Sequence, residues 1–343
     1  MKRKNHNIYE NELHPFHLVK PSPWPMLVSF GLFFILLGFV DLMSDLSEIK
    51  STVLHAWFLV YFVFMLEHCW NRWENKIEEE VSILPWNNIF ICLLILIFLF
   101  NWAELETSSN WLQWVAFNIF FVHLGYFGLL LATYFWFRDI IYEATYEGQH
   151  TRKVRAGLRL GMKLFIVSEI MFFFSFFFAY FYIAGSPSIS IDCLWPPLKI
   201  IAINPWALPA VNTALLLSSG ITVTWTHRAV VADMRRDSIN SLGSTIMLGL
   251  IFTYFQYVEY DMASFSITDT VFGSLFYLMT GFHGIHVIVG TVFLIVCWFR
   301  LCEYHFNPRV HFGLVAAIWY WHFVDVVWIA LYIILYIKPV WSF

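Results

Sequence analysis

Apolar runs long enough to cross a bilayer recur along the chain, separated by short polar stretches. Crossing about 30 Å of hydrocarbon takes roughly 20 helical residues. By that measure nine stretches are predicted to be membrane helices: 24–43, 52–70, 87–103, 113–137, 160–184, 206–227, 241–260, 270–299 and 312–337. The prolines of Pro21-Ser-Pro23-Trp-Pro25 open the first, where a missing N–H does no harm. The spans at 52–70 and 87–103 are short, and the former carries His55, Glu67 and His68. Parity requires that both cross or neither does. Both are expected to cross; the alternative is a pair of interfacial helices.

Loop charge tests this map independently, because Lys and Arg concentrate on the retained side of a membrane. With the N-terminus on that side, it receives the four cations of the N-terminal tail, Arg72, Lys76 and the six from Arg138 to Lys163. Arg228, Arg235, Arg236, Arg300 and Arg309 complete a total of 17 out of 20. Only Lys50, Lys199 and Lys338 fall opposite. One misplaced span would scramble that division.

Composition agrees with the pattern. Hydrophobic residues make up 59% of the 343 and charged residues 13%, about half the roughly 25% of a soluble domain. Seventeen Trp and sixteen Tyr suit aromatic belts at the two lipid–water boundaries. Nothing in the charge pattern points to nucleic acid. The five cysteines (Cys69, Cys92, Cys193, Cys297 and Cys302) form no CxxC pair, so the spacings of a disulfide framework or zinc site are missing. Residues 1–20 mix Lys2, Arg3 and Lys4 with Glu10 and Glu12 and have no apolar core. They match neither a secretory signal nor a transit peptide.

A few polar residues inside the apolar stretches are the candidates for chemistry. Glu169 lies about ten residues into its span, where a carboxyl is costly and is either functional or paired. A proton-exchanging role and a structural hydrogen bond, for example to Ser168, both fit. His283 and His286 stand three apart, a spacing that metals use, but two ligands do not complete a site. Gly281, Gly284 and Gly290 favour close helix packing instead. His322 and Asp325, also three apart, are expected to form a structural polar pair, with proton relay as the alternative. Trp319, Trp321 and Trp328 are expected to pack against helices or lipid. Glu143, His150, Arg159 and Arg300 fall at helix ends on the cation-rich side. Cations there either set topology or hold lipid phosphate.

Several segments together resemble subunit III of the haem–copper oxidases, the mitochondrial cytochrome c oxidase type in particular. They are HLVKPSPWP (17–25), YEGQHT (146–151), GLRLGMKLFIVSEIMFF (157–173), LWPP (194–197) and NPWALPAVNTALLLSSGITVTW (204–225). The series continues through Tyr260–Phe265 into SITDTVFGSLFYLMTGFHGIHVIVGTVFLIVCWFR (266–300) and ends with HFGLVAAIWYWHFVDVVW (311–328). The resemblance covers 17–43 and 113–337 in order.

It implies an all-α polytopic transmembrane helix bundle. Seven family helices would form two arms around a lipid cleft, and an insertion at 44–112 would add two spans. The implied organisation is an N-terminal tail 1–23, a small arm 24–137 containing the insertion, and a five-helix bundle 138–343. The implied function is that of a non-redox core subunit of the proton-pumping oxidase passing electrons from cytochrome c to oxygen. Such a subunit binds structural phospholipid and supports the catalytic subunit and its proton uptake.

Glu169 matches the family's membrane carboxylate that reacts with hydrophobic carbodiimides. Glu143, His150 and Arg300 match positions around a bound phospholipid headgroup, and Arg159 falls with them. The implied partners are the catalytic haem–copper subunit 1, subunit 2, accessory subunits and membrane phospholipids. Haem a and copper belong to partner subunits, and this chain carries no metal or catalytic residue of its own. The implied location is the mitochondrial inner membrane, with the N-terminus on the matrix side. Val315, Gln149 and Arg228 depart from the family's usual Glu, His and His. The alternatives are subunit III of a quinol oxidase and a stand-alone transporter or proton channel. The latter predicts inverted repeats and broken helices, which the sequence does not display.

Overall fold

The computed structural model describes residues 15–19, 21–43, 110–189, 193–197 and 200–341. The predicted spans 52–70 and 87–103 lie outside these residues. Among the described residues there are seven long helices: α1 (Trp24–Met43), α2 (Asn110–Thr145), α3 (Arg152–Gly185), α4 (Leu208–Val231), α5 (Arg235–Met262), α6 (Val271–Cys302) and α7 (Phe312–Leu331). A π-helical turn, Tyr332–Ile337, carries α7 into a short α8 (Lys338–Trp341). Among the described residues there is no β-strand, only an isolated bridge between Asn307 and Val310. Among the described residues, five helices, from α3 to α7 with its π-turn, have the length and apolar character to cross a membrane. The chain divides into two compact units, Met1–Thr151 and Arg152–Phe343.

In the first unit, α1 and α2 meet backbone to backbone at two glycines. A Cβ on Gly125 would lie 2.7 Å from the Gly31 carbonyl oxygen and 2.8 Å from the Ile35 nitrogen. Lipid tails are as apolar as leucine, so membrane helices gain from close approach at small residues rather than from burying grease. Near the end of this contact the Trp24 indole donates to Asp139 Oδ2 at 2.6 Å and stacks on Phe135, ring centroids 5.2 Å apart. Arg138 pairs with Asp139 at 3.0 Å and lies over the same Phe135 ring.

The second unit is organised around α7. Of its most apolar stretch, 67% is buried within the chain, against 11% for α3. Thus α7 is the central post and α3 an outer helix, exposing Phe172, Phe174, Phe178 and Phe181. An exposed apolar face that large needs lipid or another protein over it. Trp321, 0% exposed, fills a slot made by Gly249 of α5 and Gly290 of α6. Its indole N–H donates 2.8 Å to Ser219 Oγ of α4, so a single side chain ties three helices to α7. By contrast, Cβ atoms on Gly281 and Gly284 would meet nothing within 4 Å, so of the three glycines expected to seal helix packing only Gly290 does so. Between α4 and α5, hydroxyls pair across the contact: Thr222 with Thr245 at 2.8 Å and Thr226 with Ser241 at 2.9 Å. Such bonds are the interhelical glue of apolar surroundings. Arg235, at the start of α5, donates to the Cys302 carbonyl at 2.7 Å, supplying a cation where the α6 dipole ends.

Candidate functional site

Most of the polar residues singled out from sequence fall into three places. In the middle of the second unit, Glu169 of α3 meets His286 of α6, with Oε2 and Nε2 2.8 Å apart. The other ring nitrogen, Nδ1, lies 2.7 Å from the Phe282 carbonyl oxygen. A carbonyl can only accept, so Nδ1 carries a proton. The Nε2–Oε2 contact then needs one further proton between the two atoms. A neutral imidazole facing an ionised carboxylate would set lone pair against lone pair. The pair therefore holds one shared proton and no net charge, either as carboxylic acid with imidazole or as carboxylate with imidazolium. Both forms satisfy the same two hydrogen bonds. An aromatic wall surrounds it: Phe173 at 5.1 Å, Tyr320 at 6.3 Å and Phe323 at 6.1 Å from the His286 ring.

Ser168 is not the partner of Glu169, because its short side chain donates back to the Phe165 carbonyl at 2.6 Å. Nor do His283 and His286 act together. Three helical residues rotate a side chain by about 60° short of a full turn. That offset sends His286 to Glu169 and His283 into the core, against Trp328 at 5.2 Å and Phe252 at 5.8 Å. Among the described residues no three His, Cys, Asp or Glu side chains gather as a metal site.

The second place joins α4 and α7. His322 Nδ1 stands 3.7 Å from Asp325 Oδ2, too far for a hydrogen bond, while His322 Nε2 is 3.3 Å from Thr224 Oγ1. Asp325 is 7% exposed, and a Cβ on Gly220 would lie 2.8 Å from its Oδ2. The carboxyl is thus seated in the space left by a glycine of the neighbouring helix.

The third place lies in the first unit, at the end of α2. His17 Nε2 pairs with Glu143 Oε2 at 3.3 Å, and the His17 and His150 rings are 6.5 Å apart. Gly148, at φ 67°, turns the chain so that Gln149 N–H reaches the Glu143 carbonyl. The Thr151 hydroxyl donates 2.6 Å to the Pro15 carbonyl, tying the segment before α1 to the end of α2. Glu143 and His150 are therefore neighbours. Arg159 and Arg300 belong to the other unit: Arg159 is exposed on α3, and Arg300 tucks its guanidinium over Phe306, 4.4 Å from the ring centre, beside Gly313.

His17, Thr224 and Gly220 do not stand out in the sequence, because their roles arise only across helix contacts. Also missed from sequence is a buried polar group on α5, where Glu259 Oε1 accepts from the Tyr336 hydroxyl at 2.5 Å. The spacing Gln256, Glu259, Tyr260 in an apolar helix was the available signal.

Residues 81–342 match the family model described as cytochrome c oxidase subunit III. The chain is 41% identical over 323 residues to cytochrome c oxidase subunit 3 of Prototheca wickerhamii, covering 94% of this chain and 97% of the relative. The protein of the same name from Chondrus crispus is 40% identical, with 94% and 93% covered. That from Tetraodon nigroviridis is 48% identical over 235 residues, 68% of this chain and 90% of the relative. With a helical bundle, an apolar outer face and relatives this extensive, the chain belongs to the cytochrome c oxidase subunit III family.

Proposed function

We infer that the chain works as a non-redox subunit of a cytochrome c oxidase, and the observation that carries this is the family match over most of its length. The family carries no redox centre; in this proposal electron transfer from cytochrome c to oxygen belongs to haem a and copper of partner subunits 1 and 2. The exposed phenylalanine face of α3 supports a role flanked by lipid and by another subunit.

Glu169 and His286 hold a proton inside the apolar layer without net charge, which suits a carboxyl that supports proton uptake by the complex. Glu143, His150 and His17, at the end of α2, suit a phospholipid headgroup with its ammonium and phosphate. Arg159 and Arg300 in the other unit are further lipid contacts of the same proposal. His322 and Asp325, both on α7, serve structure through their separate contacts with Thr224 and Gly220 of α4. The cation bias of the loops supports a multi-pass protein with its N-terminus on the retained side; with the mitochondrial type of the family, that side is the matrix side of the inner membrane.

The test is to tag the chain in its native cell, purify it in mild detergent and record the absorbance of what accompanies it. An a-type haem spectrum with oxidation of reduced cytochrome c is expected. A haem-free particle, or one oxidising quinol in preference to cytochrome c, would overturn the assignment.

A further inference from the structure

At one depth in the second unit, three helices each bring polar side chains into the interior. Asn212 of α4 is 0% exposed, Gln256 and Glu259 of α5 are 5% and 2%, and His283 of α6 is 1%. Both amide atoms of Asn212, both of Gln256, both ring nitrogens of His283 and Glu259 Oε2 are buried without a hydrogen-bond partner. Tyr336 joins them from the π-turn, donating to Glu259 Oε1 at 2.5 Å. Gln256 reaches the neighbourhood of Glu259, Tyr260 and Tyr336, yet neither amide atom completes a bond of good geometry.

The helix registers put these groups in one layer. The pairs Thr222–Thr245 and Thr226–Ser241 set α4 antiparallel to α5 and carry Asn212 to the level of Gln256. Tyr260 donating to Thr280, and Trp298 to the Ile239 carbonyl, carry His283 to the same level from α6. Trp328 stands among them. Its indole donates to Thr213, the residue after Asn212, and its ring lies 5.2 Å from His283 and 5.9 Å from Tyr336.

One unpaired buried polar atom costs a sizeable part of a protein's marginal stability, and native interiors satisfy nearly all of them. Seven in one layer call for a common partner that both donates and accepts. The amides and imidazole need both functions, and the carboxyl oxygen accepts. Water does this, typically with about three hydrogen bonds for each buried molecule. Just beyond the layer, at the α5–α6 loop, is a shallow cavity of about 640 Å³, wide open to the surface and lined by Tyr260, Tyr277, Ser264, Ser266 and Asp269. Tyr260 belongs to both places, following Glu259 in the chain and lining the cavity.

We propose that the layer of Asn212, Gln256, Glu259, His283 and Tyr336 is a binding site for a small cluster of water molecules, exchanging with solvent through the cavity at the α5–α6 loop. The site gives the bundle a hydrated carboxyl on α5, separate from the Glu169–His286 pair on α3 and α6. About two or three waters satisfy the seven atoms.

Radiolytic labelling of the intact oxidase tests this, because a brief X-ray pulse turns bound water into hydroxyl radicals that modify adjacent side chains. Trp328 and Trp321 are the same residue type, both on α7 and both 0% exposed. Only Trp328 borders the layer; Trp321 is held by Ser219 and two glycines. Trp328 should be labelled severalfold more than Trp321, with Tyr336 and His283 labelled alongside it. The excess should shrink in Gln256→Leu and in Asn212→Leu, which remove water's partners. Equal labelling of the two tryptophans in the unaltered complex, a comparison that needs no variant to fold, would overturn the proposal. So would an excess at Trp328 that both variants leave intact.

Discussion

Replacing His286 by leucine removes the nitrogen that shares a proton with Glu169 across 2.8 Å, and it keeps the side chain apolar and of similar bulk. Interhelical hydrogen bonds in membranes average about 0.6 kcal/mol and reach about 1.7. This one belongs at the upper end. It is short and shares a proton, the imidazole is braced by the Phe282 carbonyl, and the Glu169 side chain is only 23% exposed, so its orphaned carboxyl finds little water. Leucine at either position should cost about 1–2 kcal/mol, whereas leucine at both removes donor and acceptor together and leaves nothing unpaired. With the double variant costing no more than one single, the coupling is at least about 1–2 kcal/mol, a factor of roughly 5–30 or more in rate. The assay is the rate at which purified oxidase loses this chain and its cytochrome c oxidation on heating in mild detergent. Glu169→Gln, which can still donate an amide N–H to Nε2, should lose less than Glu169→Leu. If the double variant decays as the sum of the singles, within about 0.5 kcal/mol, the pair is not the shared-proton link described.

Gly249→Ala would set a methyl 2.7 Å from Trp321 Cη2, in a slot closed on its other side by Gly290; overpacking of about 1–3 kcal/mol should lower the complex's thermal midpoint. Gly281→Ala, with open space around it, is the neutral control in the same melting experiment. Gly220→Val should drive Asp325 from its seat beside α4 and reduce the yield of assembled complex, measured on native gels. Glu143→Gln and His150→Leu should each lower the phospholipid retained per purified complex, by up to about tenfold in affinity for a lost charge-assisted contact, counted by mass spectrometry of extracted lipid.

The helical, membrane-spanning character of the chain is written in its one-dimensional pattern, because a bilayer imposes a minimum apolar length that local sequence either meets or fails. Thus 24–43 and 312–337 coincide with α1 and with α7 plus its π-turn, and the other described helices contain or closely overlap their predicted spans. Glu169 stood out for the same reason, since a carboxyl in a greasy run is conspicuous before any fold is known. What it bonds to was not legible. Ser168 was the near neighbour and His286 the partner, 117 residues away, because helix rotation and packing choose contacts that chain distance does not encode. His283 and His286 show the same limit: alike in sequence, they are sent to different surroundings by a fraction of a turn. Glycines repeat the lesson, as Gly290 and Gly281 look alike in the chain while only one faces Trp321. Local sequence determined which segments must leave water. Tertiary packing alone decided which polar groups meet once there, because in lipid each unpaired group is costly and the partner that satisfies it comes from another helix.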